Sequence, residues 1–111
     1  MSDGIRPHYK LDAWKEAMEL VKAVYRVTQN FPKEEMFSLT SQMRRAAISV
    51  PSNLAEGAAR TSQYEFAQFL SISRGSLSEL ETQLLIAKDL GYLKHEDGVF
   101  NLLDKVSRSP C

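Results

Sequence analysis

The sequence predicts an all-α fold, an up-and-down antiparallel four-helix bundle with long central helices and a short fourth helix. Apolar residues recur three and four apart in four successive segments, the mark of a buried helical face. No stretch alternates as a strand would, and the links between segments are short, which favours antiparallel neighbours. With 111 residues and 43% apolar content, the chain suits one core that needs no disulfide or metal to hold it. Residues 1–111 are read as a single domain, with 1–11 a flexible N-terminal arm.

The first helix runs from Asp12 to about Asn30, with Trp14, Ala17, Met18, Val21, Val24, Tyr25 and Thr28 on its apolar face. Asp12 is the expected N-cap and Phe31-Pro32 the expected stop. The second opens between Lys33 and Thr40 and reaches about Ala59 on a stripe of Leu39, Met43, Ala46, Ala47, Val50 and Leu54; Pro51 inside it is expected to bend it. Ser62 with Glu65 three residues on forms a capping box that starts the third helix, whose stripe is Phe66, Phe69, Leu70, Ser73, Leu77, Leu80, Leu84 and Ala87. Gly91 is placed to end it in the left-handed conformation, giving about 28 residues and about 42 Å. After a link through Tyr92, Leu93, Lys94 and His95, a short fourth helix carries Val99, Leu102, Leu103 and Val106 before Ser107-Arg108-Ser109-Pro110 ends the pattern.

Fourteen Lys and Arg balance fourteen Asp and Glu, so a nucleic-acid or acidic-membrane partner would have to be met by a local patch. No run approaches the ~18 apolar residues of a membrane span, and the start, Met-Ser-Asp-Gly-Ile-Arg-Pro-His, lacks the apolar core of a secretion signal. The single cysteine, Cys111, has no companion for a disulfide or a metal. A cytoplasmic protein is expected.

The faces left over are unusual. On the second helix, Arg45, Ser49, Ser52, Asn53, Glu56 and Arg60 lie opposite the stripe, and Arg44, Ile48, Pro51 and Ala55 form a third side. Small polar residues among arginines suit close helix packing with specific pairing. The third helix has a comparable second side of Gln68, Ile72, Gly75, Glu79, Thr82, Gln83 and Ile86, where a mid-helix glycine costs about 1 kcal/mol and close approach of another backbone would justify it. Both helices are therefore expected to pack on more than one side, which points to a homo-oligomer. The alternative is a set of small, tolerant surface positions.

No catalytic residue, metal or cofactor is expected. His8 and His95 stand apart from any nucleophile motif, and neither has the Glu three residues before it that a di-metal bundle uses. Glu79 and Glu81 lie about 200° apart on their helix and cannot form a paired acid and base. Arginines such as Arg44, Arg45 or Arg60 are their expected partners, in a network that fixes register between subunits more than it adds stability. Gly57, Gly91 and Gly98 make no phosphate-cradling loop. Nucleic-acid binding would rest on Lys15, Lys22 and Arg26 along the first helix with Arg44, Arg45, Arg60 and Arg74, repeated around a ring; the alternative is ordinary solvated charges or internal ion pairs. Trp14, Tyr25, Phe66 and Phe69 fall on core stripes, leaving only Tyr9, Tyr64 and Tyr92 for an exposed stacking role.

The stretch FPKEEMFSLTSQMRRAAISVPSNLAEGAAR, followed by SQYEFAQFLSISRGSLSELETQLLIAKDLGYL, closely resembles the bacterial four-helix-bundle proteins encoded in 23S ribosomal RNA intervening sequences. The likeness runs from Tyr9 to Leu93 and includes QMRRAA, NLAEG, GSLSELETQL and LGYL in matching order. It implies a homopentameric ring or barrel without known enzymatic activity; a relative acts beside the reverse transcriptase of diversity-generating retroelements and binds nucleic acid. The matching positions are Arg44, Arg45, Asn53, Glu56, Gly57 and Arg60 in the second helix, with Gly75, Ser76, Glu79 and Glu81 in the third, and they are expected to fix helix packing and subunit contacts. Two departures bear on this: the charge is neutral where a nucleic-acid binder would be basic, and the fourth helix ends early, at Arg108. The expected role is a non-enzymatic homo-oligomer, pentameric by resemblance, that partners RNA or DNA as an accessory or scaffold. The alternative is a module that docks another protein and never touches nucleic acid. No membrane partner is expected.

Overall fold

Four amphipathic segments joined by tight links have little choice but to fold back on one another. The computed structural model describes residues 6–94 and 98–109. Among these, the α-helices are α1 (Asp12–Thr28), α2 (Leu39–Ala58), α3 (Gln63–Asp89) and α4 (Val99–Arg108), with 3-10 turns at Pro7–Lys10 and Lys33–Glu35. Every regular element described is helical, as the periodicity predicts.

The buried side of α1 consists of Ala13, Ala17, Leu20, Ala23, Val24, Val27 and Thr28. It is rotated from the expected stripe: Met18 and Tyr25 are 37% and 38% exposed, and Trp14 is half-buried. Small alanines let α1 sit close to its neighbours, so the contact centres on them and pushes the larger side chains to its edges. The N-cap is Leu11, without a side-chain bond, and not Asp12. Asp12 is the first helical residue, where its carboxylate still favours the positive end of the helix.

The core is formed where α2 meets α1 on one side and α3 on the other, around Leu20, Val24, Met43, Val50, Leu80, Leu84 and Val99. Pro51 gives no N–H to the Ala47 carbonyl, yet α2 continues to Ala58. Part of the second side of α2 is covered within the chain by α3: Ser49 and Asn53 are half-buried, while Arg45, Ser52, Glu56 and Arg60 are exposed. Ser76 Oγ donates to Ser49 Oγ at 2.7 Å, Asn53 Nδ2 donates to Ser49 Oγ at 3.0 Å, and Ser73 Oγ donates to the Val50 carbonyl at 2.9 Å. At the end of this seam a Cβ on Gly57 would lie 2.9 Å from Phe66 Cδ1 and 3.0 Å from Phe69 Cβ, so glycine is what lets the helices meet there.

Both ends of α3 are capped as expected. Ser62 Oγ accepts from the Glu65 N–H at 3.0 Å. Gly91, at φ +82°, donates to the Lys88 carbonyl at 3.0 Å while Tyr92 N–H donates to Ala87 at 2.9 Å, a Schellman closure. The 27 residues of α3 span about 40 Å and set the long axis of a 48 × 26 × 25 Å molecule. The short α4 lies against α1, with Ser109 Oγ donating to Glu16 Oε1 at 2.7 Å. Part of the expected flexible arm is docked: the His8 ring stands 4.9 Å from Trp14 and the Tyr9 ring 5.5 Å from it. The rest of that arm, residues 1–5, lies outside the described residues, as do His95 and Cys111.

Candidate interaction surfaces

The basic side chains go to separate places. Lys15, Lys22 and Arg26 are exposed along α1, and Lys22 Nζ is 3.0 Å from Glu19 Oε2. Arg44 is half-buried and reaches back to α1, donating from Nε to Thr28 Oγ1 at 2.9 Å with its guanidinium 4.5 Å from the Tyr25 ring centre. The buried Thr28 hydroxyl passes its own proton to the Val24 carbonyl at 2.8 Å. Arg45 is exposed on α2. Arg60 pairs with Glu56 at 3.0 Å and lies 4.9 Å from the Phe69 ring centre. From Arg44 to the end of α2 at Ala58, two residues before Arg60, is about 21 Å of helix, and Arg74 opens onto a cleft with Glu81 and Ser107 between α3 and α4. Within one chain these residues form no single patch.

The expected packing residues divide in the same way. Ser76 bonds across the α2–α3 seam to Ser49, Asn53 bonds to the same Ser49 from within α2, and Glu56 holds Arg60. Glu79 accepts from Gln83 Nε2 at 3.2 Å, and among the described residues neither Glu79 nor Glu81 pairs with Arg44, Arg45 or Arg60. Gln83 is buried with no donor for its Oε1. A Cβ on Gly75 would meet no atom of the described residues within 4 Å, so the close approach expected there is absent among them. Gly75 belongs to an uncovered side of α3 on which Ile72 is 50% and Ile86 45% exposed, with Glu79 and Thr82 between them. The spacing 72, 75, 79, 82, 86 is that of a helix-to-helix seam.

A third surface joins the edge of the α1 apolar face to the side of α2 that carries Ile48, Pro51 and Ala55. Between α1 and α2 runs an open groove of about 330 Å³ lined by Trp14, Met18, Val21, Ile48, Pro51 and Ala55, with Ser52 at its edge. Phe37, in the link before α2, is 96% exposed beside Met36. It belongs to no helical stripe, and the only signal for it was an apolar pair set among polar residues. The link is fastened by Glu35, whose carboxylate accepts from Ser38 Oγ at 2.8 Å and from the Tyr92 hydroxyl at 2.9 Å. These bonds hold the Glu35 pKa below the usual carboxylate value, and the same carboxylate raises that of Tyr92.

Among the described residues no three His, Cys, Asp or Glu side chains gather where they could hold a metal. No described helix is long and apolar enough to cross a membrane. Residues 9–109 match the family model described as 23S rRNA-intervening sequence protein. The chain belongs to this family. No curated protein matches it. The matched span takes in all four helices of this family member, so both the α2–α3 seam and the uncovered side of α3 lie within it.

Proposed function

We propose that this member of the 23S rRNA-intervening sequence family is a non-enzymatic, self-assembling helical bundle, a pentamer by family resemblance, that serves as a nucleic-acid-associated scaffold in the cytoplasm. The observation that carries the reading is the uncovered side of α3. Ile72 and Ile86 remain half exposed, and Gly75 weakens the helix without any close contact in the chain to offset the loss. A second copy packed along this side would remove the apolar surface from water and give Gly75 its neighbour. It would also bring the α1 row of Lys15, Lys22 and Arg26, with Arg45, into a repeated array, where charges too sparse on one chain add to a phosphate-attracting field.

A second reading, a scaffold for another protein, is favoured by the neutral net charge and by the carboxylates already beside Lys22 and Arg60. Fluorescence anisotropy with labelled structured RNA and duplex DNA across a salt series, with mass measured by light scattering on the same samples, separates the two. Tight binding that falls steeply with salt supports the nucleic-acid role. An intact oligomer that binds neither supports the protein scaffold.

A further inference from the structure

Phe37 has the properties of a docking knob. It is 96% exposed, and the turn that presents it is held on both sides of Glu35 by the bonds from Ser38 and Tyr92. An aromatic side chain has only two rotatable bonds, so on a fastened turn it loses little freedom when it binds.

The groove between α1 and α2 has the properties of its seat, being concave and apolar along Trp14, Met18, Val21, Ile48, Pro51 and Ala55. The chain's own Phe37 cannot fill it, because Pro51 lies about 18 Å along α2 from the start of that helix at Leu39. Charge points to the same occupant. The turn before Phe37 carries Glu34 and Glu35 against a single Lys33, whereas Arg44, one turn before Ile48, has no carboxylate partner among the described residues and Lys15 flanks the α1 side. We propose that Phe37 of one copy inserts into the α1–α2 groove of a second copy, its acidic turn facing the basic rim of that groove. This rests on the self-assembly reading above but assigns a different surface from the uncovered side of α3, and knob and groove on separate parts of one chain make a head-to-tail contact possible.

The test uses full-length protein with Phe37→Ser, which removes the knob, and Ala55→Trp, which fills the groove; circular dichroism checks that both fold. Sedimentation equilibrium should show self-association weakened roughly thirtyfold or more in each, the loss that follows from removing a central aromatic anchor. An equimolar mixture of the two should form one-to-one pairs, because the first keeps a working groove and the second a working knob. Wild-type protein that associates while Phe37→Ser associates equally well overturns this contact and leaves self-assembly standing. Weakening by Phe37→Ser alone, with Ala55→Trp unaffected, overturns the groove as the seat. Wild-type protein that stays monomeric overturns both.

Discussion

Two glycines in long helices show how far a residue's worth depends on what approaches it. At Gly57 the approach is already made: Phe69 Cβ, fixed directly to its backbone, would be 3.0 Å from a new methyl group, and it cannot turn aside as the Phe66 ring edge can. The gain in helix propensity from Gly57→Ala, about 1 kcal/mol, is therefore expected to lose to overpacking of about 1–3 kcal/mol, giving a net fall in urea denaturation. Gly75→Ala meets no atom within 4 Å and is expected to stabilise a lone chain by about 1 kcal/mol in the same measurement. The family resemblance marks both as packing positions, and the structure supplies the neighbour for Gly57, in α3, but none among the described residues for Gly75. Tyr92 and Glu35 offer a test by pH. The lowered Glu35 pKa adds stability that is present above the ordinary carboxylate value and lost as pH falls through the lowered one, while the raised Tyr92 pKa adds stability present below about 10 and lost as pH rises through the shifted value. Thermal melting of Tyr92→Phe should thus fall below wild type between those limits, and the difference should close at both ends.

Elements were legible wherever their signals are local. The Ser62 cap and the Gly91 closure of α3 depend on residues within one turn, and both stand as the sequence predicts. Ser62→Ala should accordingly cost about 1 kcal/mol, read as a lower denaturation midpoint with an unchanged slope. α1 starts at Asp12 as expected, but its cap is Leu11 and not Asp12, and its face is rotated because alanines allow closer packing than a count of large apolar residues implies. For α2 the sequence predicts a packed polar side; α3 covers only the part around Ser49, through Ser76, and leaves Arg45, Ser52, Glu56 and Arg60 exposed. The matching side of α3, with Ile72, Gly75 and Ile86, has no cover in the chain.

At the scale of the whole molecule, four helices in antiparallel order follow from apolar spacing, whereas the surfaces that would meet partners depend on how those helices are placed. Arg44, Arg60 and Arg74 looked like members of one basic set and fold into three settings: against Tyr25 and Thr28, beside Glu56 and Phe69, and at the α3–α4 cleft. Phe37 lay outside every stripe and emerged only from its exposure. The central claim is that the uncovered side of α3 is an interface between copies, and its most direct test is the solution mass of wild-type protein and of Ile72→Asp by light scattering at micromolar concentration. The wild type should run at a multiple of 12.6 kDa and the variant, still helical, at a lower mass than the wild type. A wild type at the mass of one chain, or a variant that assembles as the wild type does, would contradict it.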